Sequence, residues 1–293
     1  GDYCLNAFAW SGSFSRRTGK HKLLPQLLPL FPKEIDTFVD LFGGGGNVLI
    51  NVEAKKYIFN EYIYEVTDLL ENMTLLDTEY MINRIKEIQD KFKVTKDNKQ
   101  GYLDLREFYN NGNKSWDYFY SLLSASFSNQ IRFNEERKFN IPSGVRKDFK
   151  TPFGQRFFNP SMEKNFRAFA NKIKELDIKF MSQNFVDIDL DMFDSTMFVY
   201  LDPPYLISDA HYNKTWTDEV EILFLQFIDE LDKRGCKFAL SNVFKNNKKT
   251  NYILMEWSNK YNVHYLNNDY SNSSYQRQDK TKNQTVEVLI TNY

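Results

Sequence analysis

Asp202-Pro203-Pro204-Tyr205 is the segment of this chain best equipped for chemistry. Asp202 and the Pro203 carbonyl can accept hydrogen bonds from an exocyclic amine on a flat base. Consecutive prolines fix φ, so both acceptors are held with little entropic slack. Tyr205 adds a stacking face. The preceding run, Met197-Phe198-Val199-Tyr200-Leu201, is short, β-branched and aromatic, and it is stopped by the prolines. That pattern predicts a buried strand. A carboxylate and an aromatic at the carboxyl end of such a strand form an active-site lip in an open α/β sheet. The competing reading is a strand that merely ends in a proline turn.

A second candidate lies near the N-terminus. Thr37-Phe38-Val39-Asp40-Leu41-Phe42 reads as a strand running into Gly43-Gly44-Gly45-Gly46-Asn47 and then Val48-Leu49-Ile50-Asn51-Val52. Strand, glycine loop and apolar segment describe the first βα turn of a nucleotide-binding sheet. Glycines there let the backbone approach a ligand that a Cβ would exclude. No Lys-Ser/Thr follows, so the loop is not a phosphate loop. Taken alone, it also fits a flexible turn. Tyr57-Ile58-Phe59-Asn60-Glu61 is a second strand ending in an acid, the usual partner for ribose hydroxyls. Together these features point to an adenosine-containing cofactor. The missing phosphate cradle favours S-adenosylmethionine over NAD.

The elements around these candidates alternate. Ile178–Ser182 and Lys237–Val243 read as strands. Asp218 to Leu231 presents Val220, Leu223, Phe224, Phe227, Ile228 and Leu231 on one helical face, with Thr217 as cap. Tyr252 to Lys260 is the next helix. Strand alternating with helix predicts an α/β fold whose sheet is covered on both faces. The middle differs, with helical patterns over 80–92, 102–109 and 117–127 followed by a polar, hairpin-like stretch. We therefore expect a catalytic domain from residues 1–65 and 166–293, and an inserted, mainly helical recognition domain over 66–165. In the hairpin, Ile131–Asn134 and Lys138–Pro142 alternate apolar with polar around Glu135-Glu136-Arg137. A two-stranded basic ribbon fits the DNA major groove, and Arg132 has the geometry for a bidentate contact to guanine.

Composition narrows the class. The chain has 293 residues, enough for one large domain or two smaller ones. No apolar run reaches transmembrane length, and Leu23 to Phe31 is broken by Pro25 and Pro29. Cys4 and Cys236 are far apart, which argues for a reducing compartment. His21, His211 and His264 lack ligand spacing, so no metal is expected. Net charge is −1, but residues 132–172 carry ten Lys/Arg against four Asp/Glu. Such clustering suits phosphate binding; the plainer reading is a solvated face.

Three segments together resemble the Dam-like, D12-class DNA adenine-N6 methyltransferases of bacteria and phages. They are Phe38 to Gly45, Phe127-Ser128-Asn129-Gln130-Ile131-Arg132-Phe133-Asn134, and Asp202 to Tyr205. Further matches fall at Lys20 to Pro32, Phe238 to Val243 and Thr285 to Ile290, so the resemblance runs from about Thr18 to Tyr293. It implies a Rossmann-like, S-adenosylmethionine-dependent sheet with an inserted target-recognition domain carrying a β-hairpin. Asp202, Pro203, Pro204 and Tyr205 would be catalytic. Lys20, Asp40, Phe42, Gly43, Gly45, Asn47, Glu61, Asn184, Phe185 and Asp202 would hold the cofactor. Asn184-Phe185 stands where the family has an acid and an aromatic flanking the cofactor adenine. Asn129, Arg132, Asn134, Arg137, Lys138, Pro142 and Arg146 would contact double-stranded DNA. The implied activity is methylation of N6 of a flipped-out adenine at GATC, in the cytoplasm of a bacterial or phage-infected cell. A cognate restriction endonuclease is the implied partner if the enzyme serves a restriction-modification system.

The sequence departs from the family at two places. Arg16-Arg17-Thr18-Gly19-Lys20 replaces an aromatic followed by Gly-Gly-Lys, and the hairpin turn lacks its glycine, with Pro142-Ser143-Gly144-Val145-Arg146 in place of Pro-Phe-Gly-Arg. Two other readings follow. Cytosine N4, or an RNA adenine, would suit the same Asp-Pro-Pro-Tyr logic. The odd Lys20 turn motivates a catalytically silent DNA-binding member.

Overall fold

In the computed structural model, residues 3–5, 19–145, 153–207, 215–266 and 285–293 are described. The strands are β1 (Tyr3–Leu5), β2 (Thr37–Asp40), β3 (Lys56–Asn60), β4 (Ile131–Phe133), β5 (Ile178–Met181), β6 (Met197–Leu201), β7 (Lys237–Asn246), β8 (Lys249–Thr250), β9 (Asn262–Leu266) and β10 (Thr285–Thr291). The helices are α1 (Gly19–Leu27), α2 (Tyr64–Leu75), α3 (Thr78–Lys91), α4 (Lys99–Asn110), α5 (Trp116–Leu123), α6 (Pro160–Lys174), α7 (Asp218–Lys233) and α8 (Tyr252–Ser258). Asp77, Asn98, Asn159, Thr217 and Asn251 cap their helices by accepting from a backbone N–H two or three residues into the helix, as short polar side chains do.

One sheet runs β5-β3-β2-β6-β7-β10-β9, with β8 paired to β7. The first five strands are parallel, whereas β10 is antiparallel to both of its neighbours. Val39 stands opposite both Ile58 and Val199, so the ends of β2, β3 and β6 are level. Burial on both faces explains the unbroken apolar runs in these strands. One face carries Phe38, Tyr57, Phe59, Phe198 and Tyr200 against Val66, Leu69, Leu70 and Met73 of α2 and Phe166 and Phe169 of α6. The other carries Val39, Leu41, Ile58, Val199, Leu201 and Leu240 against α7 and α8 through Phe224, Ile228, Leu231 and Leu254.

The first of these cores continues into α3, α4 and α5 through Met81, Ile85, Tyr102, Leu105, Phe119 and Leu122. Residues 66–165 therefore share a core with the sheet, and the bounds at 66 and 165 fall inside α2 and α6. The apolar segment after the glycine loop forms a single 3-10 turn, Leu49–Asn51, where the βα reading predicts a helix. Val52 is already extended, and Asn51 Nδ2 donates to the Asn47 carbonyl. A β-branched residue beside an asparagine that bonds its own backbone disfavours helix continuation. Among the described residues, no helix is long and apolar enough to cross a membrane.

Candidate functional site

The chain leaves β2 for β3 and β5 on one side, then places β6 on the other. The crevice between the carboxyl ends of β2 and β6 is thus the topological switch point, where open α/β sheets bind ligands. Both sequence candidates meet there. Asp40 closes β2 and Asp202 follows β6.

Asp40 is 1 % exposed, and its Oδ2 has no hydrogen-bond partner among the described residues. Burial, then the charges of Asp202 and Glu61, raise its pKa from 3.8 to about 8, against a lowering hydrogen bond from the Leu49 backbone. Glu61 is also buried, and burial raises its pKa. Its two oxygens accept from the backbone N–H groups of Ile63 and Gly44, each at 2.9 Å. The acid expected to meet a ribose therefore also clamps the glycine loop.

That loop is tightly built. Gly43 N–H donates to the Asn60 carbonyl and Gly46 N–H to the Gly43 carbonyl, both at 2.9 Å. At Gly43 a Cβ would lie 2.6 Å from two carbons of the Phe59 ring and nearer still to a third. Gly44 and Gly46 have φ of +52° and +76°, where a side chain is strained. Asn60 joins three segments: its Nδ2 donates to the Leu41 and Gln183 carbonyls at 3.0 Å, and its Oδ1 accepts from Gln183 N–H. The only sign of this role in the sequence is an amide at the end of an apolar strand.

After β6, Pro203 is buried and Pro204 half-buried. Tyr205 Oη donates to Asp202 Oδ1 at 3.0 Å, which fixes the ring beside the carboxylate. Burial and the Asp202 charge hold the Tyr205 hydroxyl far above its ordinary pKa. It is a neutral donor throughout the physiological range. Phe42 and Phe185 belong to an aromatic cluster with Trp216 and Phe224, ring centroids 5.2–6.4 Å apart. Asn184 is exposed and its amide oxygen accepts from Val186 N–H at 3.4 Å. Lys20 is the second residue of α1, and its side chain lies outside what is described.

The sequence profile of the D12 class N6 adenine-specific DNA methyltransferases matches residues 19–272. The chain belongs to this family. It is 39 % identical over 281 residues to the type II methyltransferase M.FokI of Planomicrobium okeanokoites, covering 94 % of this chain and 42 % of that protein. The modification methylase StsI of Streptococcus sanguinis is also 39 % identical, with the same coverage. The DNA adenine methylase of Escherichia coli K12 is 25 % identical over 240 residues, covering 80 % of this chain and 78 % of its own length. The chain spans about two fifths of the length of the first two relatives. A largely parallel α/β sheet is what the methyltransferase family leads one to expect, and the family implies use of S-adenosylmethionine.

Of the residues assigned to DNA by family resemblance, Arg132, Asn134, Arg137 and Lys138 lie on a hairpin. Phe133 pairs with Phe139, Asn134 N–H donates to the Lys138 carbonyl, and Asn134 Oδ1 accepts from Lys138 N–H. β4 also pairs with β1, placing Cys4 opposite Arg132. Arg132 is held by Asn140, through Nε to Oδ1 at 2.7 Å and Nη2 to the backbone carbonyl at 3.1 Å. Arg137, at φ +57°, donates through Nη2 to both carboxylate oxygens of the buried Glu65 of α2 at 2.8 Å and lies 4.7 Å over the Phe133 ring. Its guanidinium joins the hairpin to the helices. Lys138 is exposed and pairs with Glu136. The Pro142 carbonyl accepts from Phe127 N–H, and Asn129 sits at φ +49° in that turn. Arg146 lies outside the described residues.

The basic run from 132 to 172 is less free than its composition implies. Arg137, Lys138, Arg156, Arg167 and Lys172 all form ion pairs. Charge counting cannot see partners such as Asp90 and Glu79, which lie far off in sequence.

Proposed function

We propose that this chain transfers a methyl group from S-adenosylmethionine to N6 of an adenine in duplex DNA. The observation that carries this reading is the meeting of Asp202-Pro203 with the Asp40 and glycine-loop apparatus at one switch point. Three features fit the cofactor. Asp40 has a buried oxygen with no partner among the described residues, the loop admits close backbone approach at Gly44, and Asp202 and Glu61 set their charge beside Asp40. A ligand with a sulfonium and an ammonium group complements that charge. When bound, the cofactor supplies an electrophilic methyl group.

The chain's own part is orientation and charge. Adenine N6 lies inside the duplex, so the base is flipped out at a cost of a few kcal/mol. Asp202 and the Pro203 carbonyl accept from the amine, and Tyr205 gives the base a ring to lie on. These bonds favour a more tetrahedral nitrogen and aim its lone pair. Most of the rate then comes from proximity and from stabilising charge that develops on N6. Arg132, released from Asn140, is the base reader on the hairpin. The hairpin's resemblance to Dam-like enzymes points to GATC.

The test is incubation of unmethylated plasmid with S-adenosylmethionine, read by sequencing of modified bases. N6-methyladenine supports the assignment, and its sequence context decides the site. Methylcytosine, or no product from a protein that binds cofactor and DNA, overturns it. Asp202→Ala should lose transfer while keeping the fold; normal turnover by that variant would sink the assignment of Asp202.

A further inference from the structure

Building on the methyl-transfer reading, we propose that Trp216 offers the ring face against which the cofactor's adenine lies, and that Glu221 is the positioning residue that fixes that ring. By resemblance the adenine falls to Phe185. Phe185, however, is 6 % exposed, and its surface is spent on Phe224, Phe227, Phe42 and Trp216. Phe224 is wholly buried. Within the cluster, Phe42 and Trp216 keep accessible surface. Phe42 lies two residues after β2 and leads into the glycine loop, so an adenosine held by that loop and Glu61 has its base beside this pair. A flat purine gains from stacking on whichever aromatic face remains open.

What holds Trp216 is unusual for a helix face. Glu221 is 0 % exposed, in the first turn of α7. Its Oε2 accepts from Trp216 Nε1 at 2.5 Å and its Oε1 from Asn251 Nδ2 at 3.0 Å. Asn251 Oδ1 in turn accepts from Leu254 N–H at 3.0 Å, capping α8, and its own N–H donates to the Phe244 carbonyl. Burial raises the Glu221 pKa, while the Trp216 and Asn251 hydrogen bonds oppose the rise. A buried carboxylate is costly unless its lone pairs are met. Joining α7 to α8 needs only the Asn251 contact. The second oxygen, with the shorter bond, is directed at the half-exposed indole and sets its tilt.

The experiment uses S-adenosylhomocysteine as the probe. In a protein whose only tryptophan is Trp216 (Trp10, Trp116 and Trp257 changed to Phe), binding should shift or quench the indole emission. By calorimetry, Trp216→Ala should weaken the Kd about tenfold to a hundredfold, and Trp216→Phe should restore most of it. Glu221→Gln keeps an acceptor for the indole but faces Asn251 with a donor. It should lower the melting temperature through the lost Asn251 contact while keeping the KM for cofactor within about twofold, whereas Glu221→Leu, which removes the indole's acceptor, should raise that KM several-fold with kcat at saturation within about twofold. Wild-type affinity in Trp216→Ala, or binding that leaves Trp216 emission unmoved, overturns this proposal and spares the methyl-transfer reading. Failure of the wild-type protein to bind the probe overturns both.

Discussion

Asp40 makes the site costly to fold, and Asp40→Asn should show it. The carboxyl is fully buried, Oδ2 has no partner among the described residues, and the pKa rises from 3.8 to about 8 through burial and then through Asp202 and Glu61. A folded pKa above the unfolded value means that the folded state binds more protons between those limits. Stability therefore falls as pH rises from about 4 to 8, by about 1.4 kcal/mol per pH unit. At pH 7 the accumulated cost is ~4 kcal/mol. An asparagine is neutral throughout and removes it. Urea unfolding of both proteins at pH 5.5 and 7.5 should give a stability gain for Asp40→Asn that grows by about 3 kcal/mol between them. The same variant should bind S-adenosylmethionine more weakly, since a cationic ligand favours loss of the Asp40 proton and then meets its charge, which an asparagine cannot supply. A gain that does not change with pH would refute the titration. A variant less stable than wild type at pH 7.5 would refute the view that Asp40 is unsatisfied without ligand.

Other changes separate building from reading. Gly43→Ala should destabilise by about 1–3 kcal/mol, because the new methyl overlaps Phe59 and the neighbours must shift; an unchanged melting temperature would refute the tight-loop description. Arg137→Ala leaves Glu65 buried without its guanidinium and should cost about 1–2 kcal/mol, discounted for the partial exposure of Arg137. Its methylation motif should not change, and an altered motif would return Arg137 to the DNA. Arg132→Ala has the opposite signature, with relaxed sequence choice in the modified-base readout and little loss of cofactor binding.

The parts of this fold that were legible in the sequence share a cause. In a parallel sheet the chemistry sits where strands end, and there the chain must use glycine, proline or an acid to turn out of the apolar layer. Thr37–Gly46, Tyr57–Glu61 and Met197–Tyr205 carry such punctuation, so their strands and the acids closing them could be read locally. Pairing between distant elements leaves no local mark. Nothing near Arg137 points to Glu65, 72 residues away, and nothing in Thr285–Thr291 says that it enters between β7 and β9 in the opposite sense.

Glu221 is the instructive intermediate. With Asp218 and Glu219 it looks like an ordinary acidic first turn, favoured by the helix dipole. Yet it stands three and seven residues before Phe224 and Ile228, within the stripe that packs on the sheet. An acid inside a core-facing stripe must find donors or destabilise the helix, and Trp216 lies five residues before it. The helical period that identified α7 thus already held the anomaly, and the anomaly lies beside the aromatic surface left open for a ligand.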